Sequence, residues 1–277
     1  MSDPLLRPTS LAEAVDALVA AGERGTPVAG ATWLMRDRLR GDDVYVSLAG
    51  IAELAGVAVN GGLRAGALAT HTDLSGLDGP LAVLGEAAGR SAFPAVRNVA
   101  TLGGNLGARP FPEADLVPAL LAAEASLRVV GPGSDAQLGV AAYMASRGER
   151  PRGELVAEVV APAPAGRRSA YERLTVRGGG EYAIASVALS VDLDDGGTVR
   201  AARVALGGVE ELACLSEAGA AELEGGPLDA EAAERCGRAA AAAASPREGV
   251  DAPAWYRIAV LPGLVRRAVA RMAGERR

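Results

Sequence analysis

The chain contains no lysine: all 28 of its basic residues are arginine. Beside a heavy use of alanine and glycine, this is a habit of composition and not a designed arginine surface. With an acidic excess of 6 charges at pH 7, it argues against nucleic acid as the main ligand, because a phosphate backbone rewards a basic face. There is one histidine, His71, and it cannot build a metal site unaided. The two cysteines, Cys214 and Cys236, lie far apart without histidine neighbours, which argues against a disulfide staple, an iron–sulfur cluster or a thiolate zinc site. No stretch approaches the ~20 uninterrupted apolar residues of a membrane span, and the alanines at 239–244 are too few. Met1-Ser2-Asp3-Pro4 lacks the basic and apolar pattern of a secretory signal, so a cytoplasmic protein is expected. Equally missing are a G-x-S-x-G elbow, a Walker A loop and a G-x-G-x-x-G fingerprint, which disfavours a serine hydrolase or a Rossmann domain. Redox chemistry in such a chain would need a bound organic cofactor. No catalytic side chain and no metal ligand is assigned.

What is present is 277 residues, 49% of them hydrophobic, enough for a globular protein of two or three subdomains. The most informative stretch is Thr101-Leu102-Gly103-Gly104-Asn105. Two adjacent glycines are expected to leave main-chain N–H groups uncovered, and Thr101 and Asn105 bracket them with a hydroxyl and an amide suited to phosphate or ribityl oxygens. By itself a Gly-Gly loop is more often a turn than a phosphate cradle. A second candidate is Ala29-Gly30-Ala31-Thr32-Trp33-Leu34, where a short strand, Thr26 to Ala29, stops at a glycine among small and hydroxyl residues.

The order of elements sets these loops in context. Ser10 and Glu13 suggest a capping box for a helix with Leu11, Ala14 and Leu18 on its buried stripe, ending near Gly22. Short strands are expected at Val44–Leu48 and Leu63–Ala67, a helix at Leu81–Ala88, then a helix at Leu116–Ala123. Asp115, just before that last helix, reads either as its N-cap or as a carboxylate accepting hydrogen bonds from cofactor hydroxyls. His71 reads as a hydrogen-bonding residue in a packed turn. Strands follow at Leu127–Val130 and Leu155–Val160, with a linker at Pro162-Ala163-Pro164-Ala165-Gly166. Ala183–Leu193 and Thr198–Leu206 form a hairpin around Asp194-Asp195-Gly196-Gly197. Helices near Ser216–Leu223, Ala230–Ala244 and Trp255–Met272 complete an α+β lobe with helices on one side of its sheet.

These segments, in order, resemble the FAD-binding (medium) subunit of the molybdenum hydroxylases, the family of the carbon monoxide dehydrogenases and the flavin domain of xanthine dehydrogenases. The resemblance rests on Pro8 to Ala14, Ala29 to Leu34, Gly66 to His71, Val96-Arg97-Asn98 running into Thr101 to Asn105, then Asp115, Glu154-Leu155 through Pro162, Tyr171-Glu172-Arg173 with Arg177, Ala205 to Val209, and Trp255-Tyr256-Arg257. It implies an α+β protein with two small α/β FAD-binding subdomains of the PCMH/vanillyl-alcohol-oxidase-like flavin fold, at 1–50 and 51–165, and an α+β C-terminal domain at 166–277. It implies FAD held by the backbone of Val28, Ala29, Gly30, Ala31, Thr32, Trp33 and Leu34 and of Thr101, Leu102, Gly103, Gly104 and Asn105. Asp115 would bind cofactor hydroxyls, and Val156 and Arg173 would lie against the flavin. It further implies two partners, a [2Fe–2S] small subunit that supplies electrons and a molybdopterin-binding large subunit that those clusters drain. A stand-alone FAD-dependent oxidase or dehydrogenase and a cofactor-free scaffold are the alternatives. Ala31 stands where relatives often have a second glycine, and backbone contacts survive there if its φ stays negative. Ser91 falls where some relatives carry an aromatic, and Trp33 where they carry a smaller residue.

Overall fold

A computed structural model describes residues 5–36, 42–177 and 182–274. The opening Met1-Ser2-Asp3-Pro4 lies outside the described residues. The chain begins with β1 (Leu5–Leu6), α1 (Leu11–Ala21), β2 (Gly25–Val28) and β3 (Val44–Ser47). Ser10 caps α1 by accepting from the Glu13 N–H at 3.2 Å. The Glu13 carboxylate reaches one residue further back than a capping box requires, to the N–H of Thr9 at 2.8 Å. Leu11, Ala14, Val15 and Leu18 bury one stripe, and the helix packs on β2 and β3. Gly22 ends it with φ +58. The three strands form a parallel sheet in the order β1-β3-β2.

Next come β4 (Val57–Val59), β5 (Gly62–Gly66), α2 (His71–Leu74), α3 (Ala82–Arg90), α4 (Pro94–Arg97), α5 (Leu102–Gly107) and α6 (Leu116–Ala122). They are followed by β6 (Ser126–Gly131), β7 (Ser134–Gly139), α7 (Val140–Ser146) and β8 (Leu155–Pro162). A five-stranded sheet runs β4-β5-β8-β6-β7. The remainder is β9 (Arg167–Thr175), β10 (Ala183–Leu193), β11 (Val199–Gly207), β12 (Cys214–Leu215), α8 (Glu217–Ala221), α9 (Ala230–Ala243), α10 (Ala254–Ala259) and α11 (Leu261–Met272). Its sheet is antiparallel, in the order β12-β11-β10-β9.

Two compact units result, and they interleave along the chain. The first holds residues 1–73, 94–109 and 125–161; the second holds 74–93, 110–124 and 162–277. The second unit corrects the expectation of helices on one side of its sheet. Val187, Leu189 and Val191 of β10 pack with the buried faces of α9 and α11. The alternate positions meet the other layer, where Ser190 Oγ donates to the Ala122 carbonyl of α6 at 2.6 Å and α3 packs on β9. With both faces covered, β10 is buried along most of its length. The final helical stretch divides at Val260, because the Pro262 ring has no N–H to continue the α10 ladder.

Candidate functional site

Both glycine-bearing loops lie in the first unit, and the first meets the residues just before the second. A Cβ built on Gly30 would lie 1.6 Å from the carbonyl oxygen of Val99, so at this position the backbones themselves are in contact and only glycine fits. From there Ala31 takes φ +56, in the left-handed region, and its carbonyl accepts from the Met35 N–H at 2.9 Å. The condition of a negative φ is therefore not met. From Gly30, which meets Val99, the chain passes through this left-handed residue toward the Leu34–Arg36 3₁₀ turn, at a cost to alanine of about 1–2 kcal/mol. The N–H groups of Gly30, Ala31 and Thr32 donate to no protein acceptor among the described residues. Successive open N–H groups around a left-handed residue form the kind of concavity that binds an anion. Trp33, half-buried, has the Arg36 guanidinium 5.0 Å from its ring centroid.

The second loop differs from its sequence reading. Thr101 is an N-cap and Leu102–Gly107 is a short helix. Each N–H at its start is satisfied internally. Leu102 donates to the Ala69 carbonyl and Gly103 to the Ala67 carbonyl, both at 2.8 Å; Gly104 donates to Thr101 Oγ1 at 3.1 Å and Asn105 to the Thr101 carbonyl at 2.9 Å. The expectation of uncovered N–H groups at the glycine pair fails for that reason. The glycines serve close packing: a Cβ on Gly103 would meet Ala67 Cβ at 2.9 Å, and one on Gly104 would meet Thr101 Oγ1 at 2.8 Å. Three of the six residues in α5 are glycine, a handicap of about 3 kcal/mol relative to alanine. A helix this short holds only through its surroundings. Thr101 and Asn105 are buried, and Gly104 is exposed.

His71 is buried behind this loop, its N–H donating to the Ala100 carbonyl at 2.9 Å. Burial pushes its imidazolium down to about 4, Arg97 adds to the effect, and a hydrogen bond with the Thr101 backbone opposes it. His71 is thus neutral near pH 7 and holds a joint. Val156, also in the first unit, is buried in β8 opposite Val129.

Asp115 and Arg173 come together in the second unit. They form an ion pair at 3.3 Å with both side chains buried, and Tyr171, two residues before Arg173 on β9, donates its hydroxyl to the other carboxylate oxygen. Asp115 makes no capping bond to α6, so the N-cap reading is excluded. Burial pushes its carboxyl up to about 6 against the opposing pull of Arg173, Tyr171 and Arg90. Arg173 also donates to the Arg90 carbonyl. The roles of Tyr171 and Arg90 were missed in the sequence. The i, i+2 spacing of Tyr171 and Arg173 on a strand was the available signal for the first; nothing local marks the second. Ser91 is buried at the end of α3, donating to the Ala88 carbonyl at 2.9 Å, and Phe111 packs edge-on to Tyr182 with centroids 5.5 Å apart.

Among the described residues no group of three His, Cys, Asp or Glu side chains could hold a metal ion, and no helix is long and apolar enough to cross a membrane. Burial, with help from Glu210 and Glu222 respectively, pushes the thiols of Cys214 and Cys236 up to about 12.

Comparison with known proteins agrees with this geometry. Residues 2–164 match the family described as the FAD binding domain in molybdopterin dehydrogenase, and residues 169–272 match the CO dehydrogenase flavoprotein C-terminal domain. The chain is 31% identical to the carbon monoxide dehydrogenase medium chain of Afipia carboxidovorans over 277 residues, covering 96% of this chain and 94% of that one. It is likewise 31% identical to the medium chain from Hydrogenophaga pseudoflava over 275 residues, covering 95% and 94%. Among solved structures, a Cu,Mo-CO dehydrogenase superposes with a TM-score of 0.87 at 28% identity, covering 98% of each chain. At 24% identity, where likeness speaks for the fold alone, quinoline 2-oxidoreductase from Pseudomonas putida 86 superposes with a TM-score of 0.84, over 98% of this chain and 97% of that one. An open turn of backbone N–H groups, set against the residues that lead into a glycine-rich helix, suits a protein in which a bound flavin carries the redox chemistry; the chain belongs to the FAD-binding flavoprotein subunits of the molybdenum hydroxylases.

Proposed function

We propose that this chain is the electron-relay subunit of a three-subunit, cytoplasmic molybdenum hydroxylase. It would work with a [2Fe–2S] small subunit and a molybdopterin-binding large subunit, and pass electrons on to an acceptor. The observation that carries the reading is the backbone contact of Gly30 with Val99, which sets three open N–H groups beside the segment leading into Thr101–Asn105. FAD, when bound, supplies a centre that exchanges electrons in pairs or singly. The chain's own residues bind and orient it. The N–H groups of Gly30, Ala31 and Thr32 would hold the pyrophosphate, with Val28, Ala29, Trp33 and Leu34 shaping that turn. Thr101 to Asn105 would act through shape, since their N–H groups are engaged. Asp115 would accept from cofactor hydroxyls: each carboxylate oxygen has a second lone pair beyond the one used by Tyr171 or Arg173. Val156 and Arg173 would bound the flavin. As functional regions, 1–50 and 51–165 would serve FAD and 166–277 would form the C-terminal domain. The substrate would be chosen by the large subunit.

The test is direct. The purified chain should be yellow, with flavin bands near roughly 370 and 450 nm, and should co-purify with the two partner subunits when expressed with them. Gly103→Val and Asp115→Ala should each lower FAD occupancy. Full flavin in both variants would overturn the residue assignment, and a colourless wild-type chain would overturn the function.

A further inference from the structure

The weakness of α5 raises the question of what holds its far end. Its start is fixed by the Thr101 cap and by the Ala67 and Ala69 carbonyls. Its end is fixed from elsewhere in the first unit. Arg147, just after α7, is buried, and its Nη1 donates to the carbonyls of Leu106 at 2.8 Å and Ala108 at 3.1 Å. These are among the carbonyls that a helix C-terminus leaves without intrahelical donors, and a cation there also complements the helix dipole. Neither neighbouring arginine substitutes for it: Arg150 is turned to Glu154 at 2.5 Å and to Ser146 Oγ at 3.2 Å, and Arg109 is exposed.

We propose that Arg147 is a positioning residue for the cofactor: by clamping the C-terminal carbonyls of a glycine-rich helix, it sets the place of Thr101 to Asn105 in the FAD site. This rests on the reading of that segment as part of the site. The mechanism is transmission along a single helical turn. With the end released, the Leu102 and Gly103 N–H bonds to Ala69 and Ala67 remain, but Asn105 and Gly104 lose the turn that follows them.

The experiment is FAD titration of the full-length apo chain at 25 °C, followed by flavin fluorescence and visible circular dichroism, for wild type, Arg147→Met, Arg147→Lys and Arg150→Met. Arg147→Met should raise the FAD dissociation constant about tenfold or more and alter the visible dichroism of bound flavin. Arg147→Lys, whose ammonium can reach one carbonyl, should recover most of the loss, and Arg150→Met should bind like wild type. Should Arg147→Met fail to fold, Arg147→Gln takes its place, with affinity expected to fall in the order Arg, Lys, Gln. Wild-type affinity and dichroism in the Arg147 variants, with only thermal stability lowered, would make Arg147 merely structural and overturn the proposal. Equal weakening by Arg150→Met would overturn it as well. Failure of wild type itself to take up FAD would overturn the flavoprotein reading, a result distinct from either.

Discussion

Replacing Gly30 by alanine tests the core of the site with a single methyl group. The added Cβ would lie 1.6 Å from the Val99 carbonyl oxygen and 2.6 Å from its carbon, where no real Cβ comes within 3.0 Å. One of the two segments must therefore retreat by about 1.4 Å, beyond what small bond-angle adjustments supply. Both sides of the contact are backbone, so no rotamer can absorb the methyl. The expected loss sits at the upper end of overpacking, about 3 kcal/mol, or roughly 5–10 °C in Tm for a chain of this size. A shift of that size also carries the Gly30–Thr32 N–H groups out of hydrogen-bonding range of a bound phosphate, so flavin content should collapse. The matched control is Gly107→Ala, where a Cβ meets nothing within 4 Å. There, alanine should be neutral or stabilise α5 by about 0.5–1 kcal/mol. The assays are thermal unfolding and the flavin-to-protein absorbance ratio. A Gly30→Ala chain that keeps its Tm within about 1 °C and its full flavin would show that the two segments do not meet as described.

Other expectations follow from the same geometry. Ala31→Gly removes the left-handed penalty of about 1–2 kcal/mol but adds about 0.5–1 kcal/mol of backbone entropy; Tm should rise slightly, and a clear fall would refute the strained alanine. Asp115 has its carboxyl raised from 3.8 to about 6 in the folded chain, so the folded state holds the proton more tightly than the unfolded one. Its contribution to stability is therefore full below about pH 4 and is lost as pH rises to about 6, by up to about 3 kcal/mol. Urea unfolding of wild type against Asp115→Asn from pH 4 to 7 should show the variant gaining on wild type across that window and running parallel above it; parallel curves throughout would count against the buried carboxyl. Cys214 and Cys236, with thiols near 12, should resist iodoacetamide at pH 8 in the native chain and react readily in denaturant. Rapid native labelling of both would contradict their placement.

Much of the fold could be read from local pattern. The Ser10 cap, the Leu11, Ala14, Leu18 stripe and the Asp194–Gly197 hairpin all carry their signal within a few residues. The β9 strand does not. Arg167, Glu172 and Arg173 are buried on it, and pattern reading sends such residues to the surface. Each is compensated by a group remote in sequence: Asp192 at 2.7 Å from Arg167, Arg271 at 2.9 Å from Glu172, and Asp115 for Arg173. Strand β7 was missed because its residues are nearly all exposed and show no alternation, although Pro132-Gly133 marked the turn before it. At the glycine pair the expectation of open backbone fails for a reason that is not local. Local sequence suggests open N–H groups there, while the acceptors that occupy them, Ala67 and Ala69, lie more than thirty residues earlier. The open groups sit instead at Gly30 to Thr32, beside a backbone contact with distant Val99.

The way α3 and α6 cover the four-stranded sheet of the second unit bears on how such a protein could be cut or fused. A fragment starting at residue 166 would carry all four strands yet bring neither helix, leaving the Ser186, Ala188 and Ser190 side of β10 open to water and to other chains. Expressed alone, it should clump or remain only loosely ordered. A gene split at the proline-rich 162–166 junction would thus separate two sequence families without separating two foldable pieces, and recombination between relatives at that point would have to preserve both helices from upstream to yield a working product.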